Sequence, residues 1–146
     1  MIIRVMPNKI PKIWDTIKFA IKQVSNIQDN IVQGVINNKI LHSLLSSKSQ
    51  CFLFVNDFDK IQVIAVTKMM VNDGDKYKTL HIQGFFGYEK STFENLYSLL
   101  DFIKQFAKKE ECIGIAFSTS NPKIIKLAQP FNAKEVSRNY KIEIRG

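Results

Sequence analysis

Apolar side chains recur along the first half of the chain with the two periods that distinguish helices from strands. Steps of three and four residues, typical of one helix face, run over 10–24 and again over 31–45, and Asp29 or Asn30 is placed to cap the second helix. Short β-type runs separated by turn residues, such as 72–75, follow these helices. The pattern predicts, in order, a strand at 2–6, helices at 10–24 and 31–45, and strands at 51–55, 61–71 and 77–86.

The second half adds two helices and three strands. Ser91 begins a long helix whose apolar stripe extends to Ala107, and Ser91 with Glu94 has the S-x-x-E spacing of a capping box. The apolar run 113–117 lacks alternation, which predicts a strand buried on both faces. A helix at 121–128, which Pro130 ends, and strands at 133–136 and 140–144 complete the predicted elements.

This order of elements, β-α-α-β-β-β-α-β-α-β-β, predicts a fold class. We expect an α/β (α+β) fold with a central mixed β-sheet of six or seven strands and helices on both faces. The chain has 146 residues, of which 45% are apolar and 23% charged, as in an ordinary globular domain. No repeat or Pro/Gly/Ser linker divides it, so we expect a single domain over 1–146.

Cysteine content, hydropathy and charge indicate the cellular compartment of the protein and the classes of partner it could bind. Cys51 and Cys112 each precede an apolar run, as buried free thiols of a reducing compartment do, and no His/Cys cluster indicates a metal site. The sequence shows neither a membrane span nor a signal-peptide pattern, so we expect a cytoplasmic protein. The net charge of +8 suits an anionic cofactor, an acidic partner or nucleic acid. Because the lysines are scattered and no nucleic-acid motif occurs, nucleic acid is not the expected partner.

Three segments resemble the GNAT family of acyl-CoA-dependent N-acetyltransferases. Ile2-Ile3-Arg4, followed by Ile10-Pro11-Lys12-Ile13, is similar to the family's first strand and helix entry. The block 80–115 resembles its central strand-helix-strand unit, and 121–136 is similar to its signature N-x-x-A-x-x-L-Y-x-x-x-G-F-x-E-V. The resemblance implies a GNAT-like fold over nearly the whole chain, with acetyl-CoA as the cofactor and an amine as the acceptor.

The resemblance also places the cofactor site. The family binds the CoA pyrophosphate on a loop [Q/R]-x-x-G-x-[G/A], where small residues and a helix N-terminus favour phosphate. The corresponding stretch, 87–94, has no glycine after Gly87 and carries Glu89 and Glu94, which predicts that acetyl-CoA binding is impaired. Asn121 matches an asparagine that contacts the CoA arm, and it is equally suited to cap a helix. By position, the cofactor-binding residues are Gln83, Gly84, Phe85, Lys90, Ser91, Thr92 and Asn121.

The catalytic groups of the family are also incomplete. Its general acid is a tyrosine on the helix after the fifth strand, where this chain has Ala128, so Tyr140 and Tyr88 are the candidate substitutes. The strand before the loop lacks the glutamate that often serves as base, which leaves His81 as the candidate general base or as a partly buried structural histidine. Gly84 and Gly87 indicate a bulge that splays this strand from the next. No residue is predicted to bind a metal.

Two functions therefore compete. Because the loop and the tyrosine are both altered where activity needs them, we favour a non-catalytic GNAT-fold module with a filled cleft and protein partners, and the aromatic stretch 85–88 is its candidate partner surface. The tail, 118–146, is similar to that of GNAT-like internal virion proteins of podoviruses, which implies a phage component of the virion or the host cytoplasm. The alternative is an active acetyl-CoA-dependent N-acetyltransferase, with an amine substrate and an open basic cleft near 84–90.

Overall fold

The secondary structure follows the predicted order through the fourth α-helix. The computed structural model describes residues 1–24, 29–71, 74, 77–88, 91–118, 122–136, 142 and 144. The elements are β1 (Ile2–Arg4), a 3₁₀ segment (Pro7–Ile13), α1 (Trp14–Val24), α2 (Asn30–Leu45), β2 (Ser49–Val55), β3 (Ile61–Val71), β4 (Lys78–Gly87), α3 (Phe93–Lys109), β5 (Cys112–Ala116), α4 (Pro122–Ala128) and a second 3₁₀ segment (Gln129–Phe131).

A five-stranded mixed sheet, in the order β1-β2-β3-β4-β5, forms the centre of the described chain. Neighbours among the first four strands are antiparallel, whereas β5 runs parallel to β4, as its crossover through α3 requires. β3 and β4 pair as far as Val71 and Lys78, so the predicted hairpin is present, although most of its turn lies outside the described residues. The predicted α/β fold with a mixed sheet is confirmed.

The predicted strand count is not met. Six or seven strands are predicted, and the described residues hold five. Residues 133–136, expected as a strand, are irregular, and Val136 is 88% exposed. A short segment forms a strand only where a neighbouring strand supplies hydrogen bonds, and no described strand pairs with 133–136. The last predicted strand, 140–144, falls largely outside the described residues.

Two apolar cores lie on opposite faces of the sheet. Successive residues of a strand point to opposite faces, and in β2 Phe52 enters one core while Leu53 enters the other. The first core, under α1 and α2, contains Ile10, Ile17, Ala20, Ile21, Ile40, Leu44, Cys51, Leu53, Val55, Ile64 and Val66. The second core, under α3 and α4, contains Phe52, Val63, Ala65, Leu80, Ile82, Phe85, Leu99, Leu100, Ile103, Ala107 and Leu127.

The helix starts show one confirmed cap and one correction. Asp29 caps α2, because its carboxylate accepts hydrogen bonds from the amides of Ile31 (2.8 Å) and Val32 (3.3 Å). Ser91 is predicted to cap α3, but the cap is Thr92, whose hydroxyl accepts from the Asn95 amide at 3.2 Å. The Ser91 amide already donates to the carbonyl of residue 88 at 2.8 Å, so Ser91 closes a turn one residue before the helix cap.

The prediction that β5 is buried on both faces is wrong. Ile113 is 66% exposed, and Gly114 is also exposed. Within the described residues β5 is the edge of the sheet, and α3 packs on it from one side. An unalternating apolar run therefore does not distinguish a central strand from an edge strand.

Among the described helices, none is both long enough and apolar enough to span a membrane.

Candidate functional site

Strands β4 and β5 run side by side and then part. Their pairing begins at Lys78 and Cys112 and ends at His81 and Ala116, whereas β4 continues for six residues to Gly87. Parallel strands that diverge open a crevice at their carboxyl ends, where ligands commonly bind in α/β sheets. This crevice is the candidate functional site.

A β-bulge in β4 lies just beyond the point of divergence. Val66 of β3 pairs with Gly84 and Thr67 pairs with Ile82, so Gln83 is the extra residue. The bulge lets Ile82 and Phe85, three residues apart, both enter the core under α3. A bulge near Gly84 is predicted from the sequence, and the structure contains one at the adjacent residue.

Gly84 has a structural reason to be glycine. A Cβ on Gly84 would lie 3.1 Å from the backbone nitrogen of Ile21 and 3.2 Å from the carbonyl carbon of Ala20, both in α1. Contacts this short with helix backbone cannot be relieved by rotating a side chain. Gly84, predicted as a cofactor-binding residue, thus permits the close packing of α1 on β4.

The crevice between β4 and β5 is filled by apolar side chains. A cavity of about 20 Å³ remains, which holds about one water molecule. Ligand pockets typically measure ~300–1,000 Å³, so this cavity is much smaller than a typical ligand pocket. The lining residues are Val24, Ile82, Phe85, Leu100, Phe117, Ser118, Ile124 and Leu127.

The loop between β4 and α3 is packed tightly where the resemblance places the CoA pyrophosphate. A Cβ on Gly87 would lie 2.7 Å from the Ser91 Oγ and 2.8 Å from the Leu96 Cδ2, so these two side chains occupy the space beside the glycine. The Ser91 hydroxyl donates to the carbonyl of Tyr88, and the Tyr88 amide donates to the carbonyl of Gln62 at 2.9 Å. The loop is therefore tied to the sheet by its own side chains and backbone.

These residues do not fit acetyl-CoA. A phosphate needs amides and hydroxyls that can turn towards it. The Ser91 hydroxyl instead donates to the carbonyl of Tyr88, whereas the Thr92 hydroxyl accepts from the Asn95 amide, which leaves its own proton able to donate. The side chain of Glu94 adds a negative charge in the first turn of α3. Among the described residues, the Ser91 hydroxyl is thus already bonded and Glu94 is unfavourable for a phosphate at this helix start.

The remaining predicted site residues are dispersed. His81 is half-buried, and its alternation with Leu80 and Ile82 places it on the α1 and α2 face, opposite the cavity. Gln83 is also half-buried, and its Oε1 is buried without a hydrogen-bond partner among the described residues. Phe85 is 4% exposed and belongs to the core. Lys90, Asn121 and Tyr140 lie outside the described residues.

Ala128, which the resemblance aligns with the family's catalytic tyrosine, is part of the core. Ala128 is 6% exposed, next to Leu127 at the end of α4. An alanine there presents no hydroxyl to the crevice. Across the described ranges, no group of three or more His, Cys, Asp or Glu side chains is placed to hold a metal ion.

The aromatic stretch 85–88 is not the exposed surface that the sequence suggests. Phe85 is buried, and Phe86 and Tyr88 pack against the first core. The Phe86 ring lies edge-to-face between Phe19, at 4.8 Å, and Tyr88, at 4.9 Å. The residues serve packing because β4 runs between the two helical layers.

Both cysteines are free, as predicted, but their environments differ. Burial raises the pKa of Cys51 to about 12, so its thiol stays protonated at neutral pH. Burial also raises the pKa of Cys112; nearby Lys78 lowers that pKa and Glu110 raises it. Cys51 is fully buried and Cys112 only partly, so the thiol of Cys112 is the more accessible.

Sequence reasoning missed an aromatic stack that joins α3 to the second 3₁₀ segment. Tyr97 stacks on Phe131 at 4.8 Å and lies 6.5 Å from Phe93. The Lys104 ammonium lies 5.7 Å from the centre of the Phe131 ring. The spacing of Phe93 and Tyr97, four residues apart on one helix, is the signal that could have indicated part of this stack.

Comparison with known proteins places the fold. No family model matches the sequence, and no curated protein matches it. Solved structures match over the whole chain at low identity. A possible acetyltransferase from Clostridium difficile 630 superposes with a TM-score of 0.67 at 17% identity, covering 100% of this chain and 98% of that one.

Two further structures agree. A putative acetyl transferase from Pyrococcus furiosus has a TM-score of 0.71 at 14% identity, covering 99% of this chain and 100% of its own. A predicted acetyltransferase with acetyl-CoA from Clostridium acetobutylicum has a TM-score of 0.71 at 10% identity, covering 99% and 96%. At such identities the likeness shows the fold and not the activity. The mixed sheet and these superpositions together show that the chain has the GNAT acetyltransferase fold.

Proposed function

We propose that this chain is a GNAT-fold protein that does not turn over acetyl-CoA and that acts through binding to other proteins. The observation that carries the proposal is the filled crevice, since only about 20 Å³ remains between the diverging strands. An acyl-CoA arm would have to displace core side chains such as Phe85 and Leu127, which are 4% and 2% exposed. Displacing packed core groups costs several kcal/mol each, roughly 2–5 by truncation data.

Two further features support the same conclusion. The loop beside Gly87 is occupied by Ser91 and Leu96, so the phosphate position is closed independently of the crevice. Ala128 replaces the tyrosine that protonates the leaving thiolate in the family, so the general acid is also missing at that position. The specific form of this proposal is a structural role in a phage particle, which is what the resemblance given for 118–146 implies.

Calorimetric titration with acetyl-CoA tests the proposal. A chain of net charge +8 attracts any polyanion, so ADP serves as the matched control ligand, and each titration is repeated at low and moderate salt. We expect weak heats that are alike for both ligands and disappear with salt. Saturable micromolar binding of acetyl-CoA that persists in salt and exceeds that of ADP would overturn the proposal.

The second candidate function is an N-acetyltransferase acting on an amine, and one observation favours it. Strands β4 and β5 part after His81, and such a divergence opens a crevice in which ligands commonly bind in α/β sheets. This function requires the crevice to open when the cofactor binds. Acetyl-CoA consumption that depends on an added amine and saturates with its concentration would establish it.

A further inference from the structure

Three polar side chains, here termed the polar row, lie side by side across strands β2, β3 and β4. Ser49 pairs with Lys68, and Lys68 pairs in turn with His81. Directly opposed residues of neighbouring strands have Cβ atoms about 4.5–5.5 Å apart, so the row measures roughly 10 Å between its ends. A single small molecule can therefore contact all three side chains.

The polar row faces the layer of α1 and α2. Cys51 and Val66 are two positions from the row on β2 and β3, so they share its face, and both belong to the first core. On β4, His81 alternates with Leu80 and Ile82, which belong to the second core on the opposite face. The row thus lies at the margin of the first core, one step along the strands from its fully buried residues.

One member of the polar row has a buried hydroxyl without a partner. Ser49 is 4% exposed, and no described residue forms a hydrogen bond with its Oγ. The other buried side-chain atom without a partner in the described ranges is the Oε1 of Gln83, two residues from His81 on β4. Buried polar atoms are nearly always hydrogen-bonded, so two exceptions in and beside one row indicate a polar group that the described chain does not supply.

The polar row also carries a positive charge that no described acid neutralises. Lys68 and His81 are half-buried, and the salt bridge formed within the described residues joins Lys18 to Asp15 instead. The residues two positions from the row along its strands include no acid; they are Cys51, Val66, Met70, Thr79 and Gln83. A lysine, a hydroxyl and an imidazole together present several hydrogen-bond donors, and charge-assisted hydrogen bonds to an anion are the strongest of their kind.

We propose that the polar row binds the carboxylate or phosphate group of a small molecule. Lys68, in the middle, supplies the positive charge, while the Ser49 hydroxyl and a ring N–H of His81 donate from its two sides. Lys68 and His81 are the members that solvent reaches, so the anion enters over them, and the flexible stem of Lys68 turns to admit it to Ser49. This site lies on the opposite face of β4 from the filled cavity.

The dimensions of the row favour a small anion over a macromolecule. Ser49 is buried and its two neighbours are half-buried, so a protruding group of a few atoms fits where a folded surface does not. Nucleic acid binds through a series of cationic contacts to successive phosphates, and the row supplies one lysine. The inference does not depend on whether the chain binds acetyl-CoA, and no acetyl-CoA is used in its test.

Titration with sodium phosphate and, separately, with sodium acetate tests the proposal. Backbone ¹H–¹⁵N spectra of the full chain are recorded at constant pH, with sodium chloride holding the ionic strength constant. We expect saturable shifts of the Ser49, Lys68 and His81 amides with a dissociation constant of roughly 1–10 mM for at least one anion. The anion that binds more tightly identifies the group, carboxylate or phosphate, that the natural ligand carries.

A charge-matched pair of variants separates this site from general attraction to a chain of net charge +8. Lys68→Gln raises the dissociation constant at least fivefold. Lys126→Gln, which removes the same charge from an exposed position of α4, leaves it unchanged within about twofold. The spectrum of each free variant shows whether it is folded.

Ser49→Ala gives the sharpest readout, since its two effects have opposite signs. Removing the unpartnered hydroxyl raises the melting temperature of the free protein by about 2–4 °C and raises the dissociation constant of the anion at least threefold. Absence of saturable shifts at the three amides up to about 100 mM of either anion would overturn the proposal. So would binding that Lys68→Gln and Ser49→Ala leave intact, or that Lys126→Gln weakens equally.

Discussion

Replacing Gly84 by alanine tests whether α1 seats on the bulged strand as described. The added Cβ would meet backbone atoms of Ile21 and Ala20 at 3.1–3.3 Å, short of ordinary van der Waals contact. Because backbone cannot rotate away, α1 must shift or β4 must bend, which costs about 1–3 kcal/mol. Gly114→Ala is the matched control, since nothing lies within 4 Å of its Cβ and no described glycine has a positive φ.

Urea unfolding measures both variants. Trp14 is the only tryptophan of the chain and packs against the core under α1, so its fluorescence reports on that layer. With a slope of ~1.5 kcal/mol per molar urea, a loss of ~2 kcal/mol moves the midpoint of Gly84→Ala down by ~1.3 M. Gly114→Ala stays within ~0.5 M of the wild type. Equal midpoints for the two variants would refute the close packing of α1 on β4.

Three other predictions follow from the structure. Leu127 is 2% exposed and lines the small cavity, so Leu127→Ala lowers the free energy of unfolding by about 2–5 kcal/mol, as measured by urea denaturation. The control is Ile125→Ala, at an exposed residue of the same helix, which stays within ~0.5 kcal/mol of the wild type. Asp29→Ala removes the cap of α2 and costs about 1 kcal/mol in the same assay, whereas Asp29→Asn retains most of it. Burial raises the pKa of the Cys51 thiol from 9.0 to about 12 in the folded chain. The free energy of unfolding therefore keeps the full contribution of this thiol below pH 9 and loses it as the pH rises towards 12. Cys51→Ala lacks this decline; parallel wild-type and variant stability curves over that range would contradict the burial of the thiol.

Local chemistry predicts most of the fold. The step of three or four residues finds α1, α2 and α3, and the meander of β2, β3 and β4 follows from runs bounded by turn residues. Asp29 is found as one of two adjacent candidates for the α2 cap, because a side chain with an acceptor before an apolar run is a strong start signal. Such signals depend on residues within a few positions of one another, so they predict the element without knowledge of the tertiary structure.

The predictions are wrong where residues distant in the sequence determine the local structure. Ser91 and Thr92 are equivalent as cap residues in sequence, and the turn at Tyr88 selects between them. Ile113 is exposed because of the position of β5 in the sheet, which its own sequence does not specify. The side chain of Leu96 closes the space beside Gly87 from the next element along the chain. Close approaches of this kind require coordinates.

The most direct test of the account is a residue-resolved one, because the central claim concerns one crevice. Backbone ¹H–¹⁵N spectra of the uniformly labelled chain, recorded while acetyl-CoA is added to about 2 mM, report on every amide around the cavity. We predict that the amides of Ile82, Gln83 and Ser118 keep their positions, with at most salt-sensitive shifts beside exposed lysines. Saturable shifts centred on those three residues would show that the crevice opens for the cofactor, and would contradict the account.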